Sequence, residues 1–402
     1  MKTAGIIAEY NPFHHGHTYH IAQTRAMGFD HIVCVMSGNY VQRGDVAVAT
    51  KWARAAMALK NGADLVIELP LTFALAPAER FARGAIALLH SLGCVDAVSF
   101  GSETGSLEPL QKAAHRIDSG RLDGAIRRLL SSGISYAAAR QQAMAAELGE
   151  DAACLSNPND TLGVEYLRAL ALYSCEMRPI AIPRRGVWHD ECAQRDGMVS
   201  ASYLRNQWKA QAAQRKAAPA LDDLPEGCRD ILNEEYAAGR FPVFLSQMES
   251  ALLGVLRGKQ QRHYARLPDC SEGLENRLCH AVRDGRSLDE IFHLAKTKRY
   301  PLARIRRLCL SLALGVSADD WDPFPAYLRV LGIGPRGASL LQTAKRTARI
   351  PIVTKARDIA SLGGEASRQF ELECLATDLY TLAFPRPVPC GSDQRHKLIV
   401  LS

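Results

Sequence analysis

Two histidines three positions apart, His14 and His17, bracket His15 and Gly16 where an apolar run gives way to a helix-like stretch. That spacing across a turn lets both imidazoles face one anion. At a helix amino end, unpaired N–H groups and the dipole favour a phosphate, and Gly16 leaves room for close backbone approach. Two imidazoles so placed can stabilise charge building on a phosphorus while pyrophosphate leaves in line. A histidine-rich turn can also merely cap a helix or bind a transition metal. No cysteine accompanies the pair at ligand spacing, and the nearest carboxylate, Glu9, lies back in the apolar run. The order strand, His-x-Gly-His, helix therefore points to phosphate.

The elements that must position this box are legible around it. Residues 3–9, 31–36, 65–69 and 95–100 are short β-branched runs that read as buried strands, with a fifth at Pro179 to Pro183. Helix-period stretches lie between them at 16–27, 50–61 and 77–92. Strand and helix in alternation predict βαβ units and a doubly wound parallel sheet, with ligands at the carboxyl ends of its strands. From Ala213 to Glu226 alanine, proline and paired aspartates replace the periodic pattern, which suggests a linker. Residues 1–212 are thus expected to form the α/β domain, and 227–402 a mainly helical region.

Composition sets outer bounds. The 402 residues are 47% apolar and 23% charged, as in ordinary globular proteins. No apolar run reaches the roughly 18 residues a membrane span needs. The amino-terminal run lacks a long apolar segment with a cleavage site, and Glu9 interrupts it, so it reads as a strand rather than a secretion signal. Eleven cysteines without a C-x-x-C pair suit a reducing cytoplasm and argue against a disulfide framework or zinc cage. The net charge of +7 hints at a polyanionic partner.

The box resembles that of nucleotidylyltransferases and class I aminoacyl-tRNA synthetases, whose domains have a Rossmann-like fold. The longer string from Gly5 to His17 resembles, more specifically, the bacterial tRNA(Met) cytidine acetate ligase family. Further similarities run from Met36 to Gly44, Lys51 to Leu59, Gly62 to Pro70, Phe100 to Glu103, Pro158 to Gly163 and Ser200 to Arg205. Gly273 to Arg277 and Thr297 to Tyr300 extend them into the second half. This resemblance implies an enzyme that makes acetyl-adenylate from acetate and ATP. It then acetylates N4 of the wobble cytidine of elongator tRNA(Met), without acetyl-CoA. The box alone fits a small-molecule nucleotidylyltransferase equally well, and a non-catalytic RNA-binding protein is the rival from another class.

Carried over residue by residue, the family's ATP contacts fall on Ile7, Ala8, Glu9, Tyr10, Asn11, Pro12, Phe13, His14, His15, Gly16, His17, Thr18, Tyr19 and His20. Gly101, Asn159 and Arg184 follow. His14 and His17 take the catalytic role. Ser200, Ser202 and Arg205 resemble a clamp on the outer phosphates, although the same letters make an ordinary helix N-cap. Lys51 and Arg54 share a helix face and read equally as a solvated edge, while Arg43 lies in a loop that could close over substrate. Asp45, Glu68 and Glu103 are the best carboxylates for Mg²⁺, yet for each of them singly a structural role is the better reading. Nothing points to an obligate protein partner or a membrane.

Lys296, Lys298, Arg299, Arg304, Arg306 and Arg307 fall within twelve residues. As a helical stripe, with Leu302, Ile305 and Leu308 on the core side, they would neutralise several RNA phosphates. A solvated face is the plain alternative. The glycine-rich turn from Gly332 to Gly337 is a weaker nucleic-acid hint.

Overall fold

The computed structural model describes residues 1–184, 199–213, 219–271 and 273–401. The first half alternates as expected: β1 (Thr3–Ala8), α1 (His15–Ala26), β2 (His31–Ser37), α2 (Lys51–Lys60), β3 (Leu65–Leu69), α3 (Ala78–Leu92), β4 (Ala97–Ser102), α4 (Pro158–Leu172), β5 (Arg178–Pro183) and α5 (Ala201–Ala213). These strands pair in parallel in the order β3-β2-β1-β4-β5. The direction of winding reverses between β1 and β4, and such a reversal opens a crevice at the carboxyl ends of the strands.

Alternation along the strands explains why both faces of the sheet are buried. Ile7, Val33, Val35, Leu65, Ile67 and Val98 pack on one side against Phe81, Ala85, Leu88 and Leu89 of α3. Ile6, Ile32, Cys34, Met36 and Val66 pack on the other, with Ala55, Met57 and Leu59 of α2 and with Trp208 of α5. Close approach of α3 depends on Gly5, where an added Cβ would lie 2.5 Å from Leu89.

The second half departs from the expected division. Helices between Glu226 and Ala313, ending in α6 (Leu302–Ala313), build their own core around Leu252, Leu278, Phe292 and Ile305. The chain then returns to the sheet with β6 (Leu328–Ile333), β7 (Ile352–Val353), α7 (Gly364–Tyr380) and β8 (Ile399–Val400). β6 pairs antiparallel with β3, while β7 and β8 pair parallel with β6. The region after 226 therefore completes the sheet as well as supplying helices. Residues 214–218 of the expected linker lie outside the described residues. Beyond them, Leu221 and Leu224 are buried and Ala220 O accepts the Trp208 indole N–H at 2.8 Å, so this stretch is packed. The glycine turn after β6 is also a packing device. Gly334 N–H donates to Asp64 O at 2.9 Å, and a Cβ on Gly337 would collide with that oxygen.

Lys51 and Arg54 form no solvated edge, because both are fully buried. Lys51 Nζ reaches Glu68 at 2.6 Å and Asp393 at 2.8 Å, and Arg329 pairs with the same two carboxylates. Burial and the neighbouring Glu68 push Glu373 up to about 8, so it stays protonated. The cluster then balances two cations against two carboxylates. Glu68 is thereby committed to an ion cluster, which removes it as a metal ligand. Because removing one partner strands a buried charge, Lys51→Ala is expected to cost about 3–5 kcal/mol, read as a lower urea midpoint. A midpoint unchanged from wild type would refute a stabilising role for the cluster.

Candidate active site

The crevice is a cavity of about 450 Å³. β1 and the turn after it contribute Ile7 to Asn11, and β4 contributes Phe100 and Gly101. Asn159, Leu162 and Tyr166 come from α4, Arg184 follows β5, and Ser200, Ser202 and Arg205 come from the start of α5. His14, Gly16, His17, Tyr19 and His20 line it from α1, so most of the residues singled out in sequence converge here. Pro12, Phe13, His15 and Thr18 do not line the cavity; Phe13 is fully buried, its ring 4.8 Å from that of Tyr10.

The histidines cap their own helix. His14 Nδ1 accepts the Gly16 N–H at 3.0 Å, and His17 Nδ1 accepts the His14 N–H at 3.2 Å. An Nδ1 that accepts cannot carry the proton, so each ring holds it on Nε2 and presents an N–H donor. Their rings lie 3.9 Å apart at 31°. A Cβ on Gly16 would sit 2.8 Å from His14 Cε1, so this glycine clears space for the imidazole. The His17 and Thr18 N–H groups donate to His14 O. Most of the first-turn amides are thus engaged, and side chains rather than bare amides face the ligand.

Burial, and then Arg184, lower the His14 pKa to about 3; burial and His14 lower His17 well below its usual value. His20, held by Ser99 Oγ at 2.9 Å, is lowered by burial to about 4. The three imidazoles are neutral at pH 7, and the positive charge comes from arginines. Arg184 is exposed and acts electrostatically on all three rings. Arg205 donates to Asn11 O at 2.5 Å and to Ser202 Oγ at 3.2 Å, fixing the guanidinium beside the box. Ser200 Oγ accepts the Tyr203 N–H at 3.1 Å, so it caps α5 while lining the cavity.

Gly101 needs no glycine for the protein's own packing: a Cβ there would meet the Arg184 stem at an ordinary 3.5 Å. What glycine provides is bare backbone toward the cavity. Asn159 is oriented by Glu103, whose Oε1 accepts its amide at 2.5 Å and whose Oε2 accepts the Asp160 N–H. Glu103 is therefore a positioning group rather than a metal ligand. The Asp45 carboxylate accepts the Val46 N–H at 2.8 Å and does not line the cavity. Glu9 is the one carboxylate among the described lining residues; it accepts the Gln42 N–H at 2.8 Å, and burial raises its pKa against the pull of Gln42, Arg205, Arg43 and Arg54. Among the described residues, no group of three or more histidine, cysteine or acidic side chains is placed to hold a metal.

The chain matches the HIGH Nucleotidyl Transferase family over residues 1–395. It is 35% identical to the tRNA(Met) cytidine acetate ligase of Acetivibrio thermocellus and 36% identical to that of Caldanaerobacter subterraneus subsp. tengcongensis, covering 100% of both chains in each comparison. It belongs to this ligase family. Two crystal structures of Thermotoga maritima TmcAL superpose over 100% of both chains. The apo form gives a TM-score of 0.93 at 33% identity, and the form bound with alpha-thio ATP gives 0.91 at 32%.

The basic run of the second half is less uniform than expected for this ligase-family chain. Only its last three members lie on α6. Arg304 is tied to Asp269, and Arg307 donates to Gln42 O at 3.3 Å. Arg306 lies against Gly44, where a Cβ would come within 2.6 Å of it. These arginines brace the loop that carries Gln42 and Arg43 into the cavity. Lys296 and Lys298 are exposed, and Arg299 is partly buried.

Tyr166, Leu162, Gln42 and Phe81 line the site without standing out in the sequence. Asn159, Leu162 and Tyr166 are spaced i, i+3, i+7 on one face of α4, a signal that was available there. Nitrogen-15 NMR should show His14 and His17 as neutral Nε2–H tautomers at pH 7. With the His14 pKa at about 3 when folded against 6.5 unfolded, the unfolded chain gains protons first as pH falls, so stability declines from pH 6.5 towards 3. A titration midpoint near 6.5 in the folded protein would contradict this.

Proposed function

We propose that the chain is a cytoplasmic enzyme that binds ATP in this cavity, makes acetyl-AMP from acetate, and passes the acetyl group to N4 of the wobble cytidine of elongator tRNA(Met). The product is N4-acetylcytidine. The observation that carries the reading is the pairing of two Nε2–H donors, His14 and His17, with Arg184 and Arg205 around one cavity at the sheet's winding reversal. Full-length similarity to ligases of that name supports the substrates. Among the described residues, no helix is long and apolar enough to cross a membrane.

In the first step an acetate oxygen attacks the α-phosphorus, and the bond to the bridging oxygen breaks as pyrophosphate leaves. His14 and His17 donate hydrogen bonds to the phosphoryl oxygens as charge builds there. Arg184, with Ser200, Ser202 and Arg205, holds the outer phosphates. In the second step the cytidine N4 lone pair attacks the acetyl carbon, AMP leaves with the electron pair of the broken carbon–oxygen bond, and N4 loses its proton. Neither step needs an enzyme nucleophile. Mg²⁺ would neutralise phosphate charge, and the described lining residues, with Glu9 as their one carboxylate, fit an ion carried mainly by the nucleotide.

Region 227–402, with Lys296 and Lys298 exposed, supplies contacts to tRNA. Acetyl-CoA plays no part in this reading, and the Gly332–Gly337 turn serves packing, with Gly334 and Gly337 set against Asp64.

His14→Ala and His17→Ala should each lower acetyl-AMP synthesis roughly 10²–10³-fold. The assay is acetate with radiolabelled ATP, without tRNA. Near-wild-type synthesis by either variant would sink the phosphate-site reading. Modification of tRNA(Met) should proceed with ATP plus acetate and not with acetyl-CoA alone, and the reverse result would remove the ligase assignment.

A further inference from the structure

A second cluster lies away from the cavity, built from three segments far apart in sequence. The Trp52 and His396 rings stack with centroids 4.1 Å apart and planes only 5° from parallel. His396 is exposed, and its ring is fixed by Nδ1–H donating to Lys397 O at 2.7 Å. Trp52 is held from beneath, being partly buried with the Lys51 ammonium 5.5 Å from its ring centroid. Lys355 and Lys397 line the same small cleft, both are exposed, and neither has an ion-pair partner among the described residues. The result is a rigid aromatic stack with one outward ring and two unneutralised cations beside it.

Topology puts this cluster on the active-site side of the sheet. β6 runs antiparallel to β3, so the amino end of β6 shares an edge with the carboxyl ends of β1 to β5; β8 pairs with Gly332 and Ile333 at the other end of β6, and the residues before it run back along β6 toward that edge. His396 and Lys397 lead into β8. Lys355 follows β7, whose two residues pair with the amino end of β6. Three strand spacings separate β1 from β6, about 14 Å. A ligand as extended as tRNA, with one nucleotide in the cavity, reaches this cluster easily. Meanwhile Arg304 and Arg307, expected to hold RNA phosphates, are tied to Asp269 and Gln42.

We propose that the Trp52–His396 stack, with Lys355 and Lys397, is a docking platform for an unpaired nucleotide of the RNA substrate. The base lies on His396 and the flanking phosphates meet the two lysines. Proteins that hold single-stranded RNA combine a stacking surface with cations along the backbone, and unpaired bases are where RNA is open to such contact. The platform rests on the tRNA reading of the active site.

The test uses the full-length protein and unmodified tRNA(Met) transcript. Lys355→Glu/Lys397→Glu should weaken filter binding at least tenfold. It should also flatten the log–log salt slope by roughly 0.7–0.9 for each phosphate that is no longer neutralised. His396→Ala should weaken binding ~5- to 100-fold, the range expected for one stacked base, and leave the salt slope as it was. Both variants should make acetyl-AMP from ATP and acetate at the wild-type rate when tRNA is absent. Wild-type tRNA affinity in both variants overturns the platform. So does loss of adenylation together with binding, since the cluster would then act through the fold. If the double variant loses heparin as strongly as tRNA while His396→Ala binds normally, the patch is a generic anion surface and the stacking role is overturned. A wild-type protein that makes acetyl-AMP and yet binds no tRNA counts against the tRNA reading itself, and the platform falls with it.

Discussion

The buried guanidinium of Arg54 holds together the edge on which everything else is built. Its Nη1 donates to Glu9 O at 2.6 Å and Ser37 O at 3.1 Å, its Nη2 to Gly38 O, and its Nε to Ala49 O at 3.0 Å. Those carbonyls lie just past the ends of β1 and β2 and just before α2. Strand ends turning into loops leave carbonyls without partners, and leaving them buried and unpaired is costly. One planar cation with five donors meets several of them at once. Burial lowers the Arg54 pKa to about 10, which still leaves it charged at neutral pH. Lysine would carry the charge without the fork that spans two strand ends.

With that edge fixed, the His14–His17 turn follows from local geometry. Asn11 Oδ1 accepts the Val48 N–H at 2.8 Å, and Arg205 reaches Asn11 O, so the turn is held from two sides. His14 then falls at the N-cap, where its ring replaces the usual serine or aspartate. The cap dictates the tautomer, and the tautomer makes the imidazoles donors rather than bases. Neutral donors in a buried site avoid the cost of desolvating two adjacent imidazolium ions, and the guanidinium groups of Arg184 and Arg205 bring positive charge to the same cavity.

The parallel core was legible because its signals are local. Five apolar runs and the helices between them appear in the structure within a few residues of where the sequence places them. His14, Gly16, His17, Gly101, Asn159, Arg184, Ser200, Ser202 and Arg205, all singled out in the sequence, line one cavity. What failed depends on distant partners. Lys51 and Arg54 look like a polar helix face until Asp393 and the ends of β1 and β2 are brought to them. The mixed half of the sheet was hidden for the same reason, since β8 is two residues long and β6 follows a run of helices. Arg304 and Arg307 read as an outward stripe for RNA phosphates because Asp269 and Gln42 lie 35 and 265 positions away from them, respectively.

These long-range ties also decide how far the two halves act separately. α7 crosses the active-site edge, where Tyr380 donates to Ala47 O at 2.8 Å, Asn39 donates to Thr377 at 3.1 Å, and Glu373 accepts the Leu71 N–H at 2.5 Å. α6 braces Gln42, whose N–H holds Glu9 at the cavity wall. The loop from Ser37 to Thr50 is thus clamped between the nucleotide cavity on one side and carboxy-terminal helices on the other. A ligand that shifted α6 or α7 would move Gln42 and, through its N–H, the Glu9 carboxylate. Contacts of this kind make the carboxy-terminal helices the support behind one wall of the cavity, so the two halves form one mechanical unit.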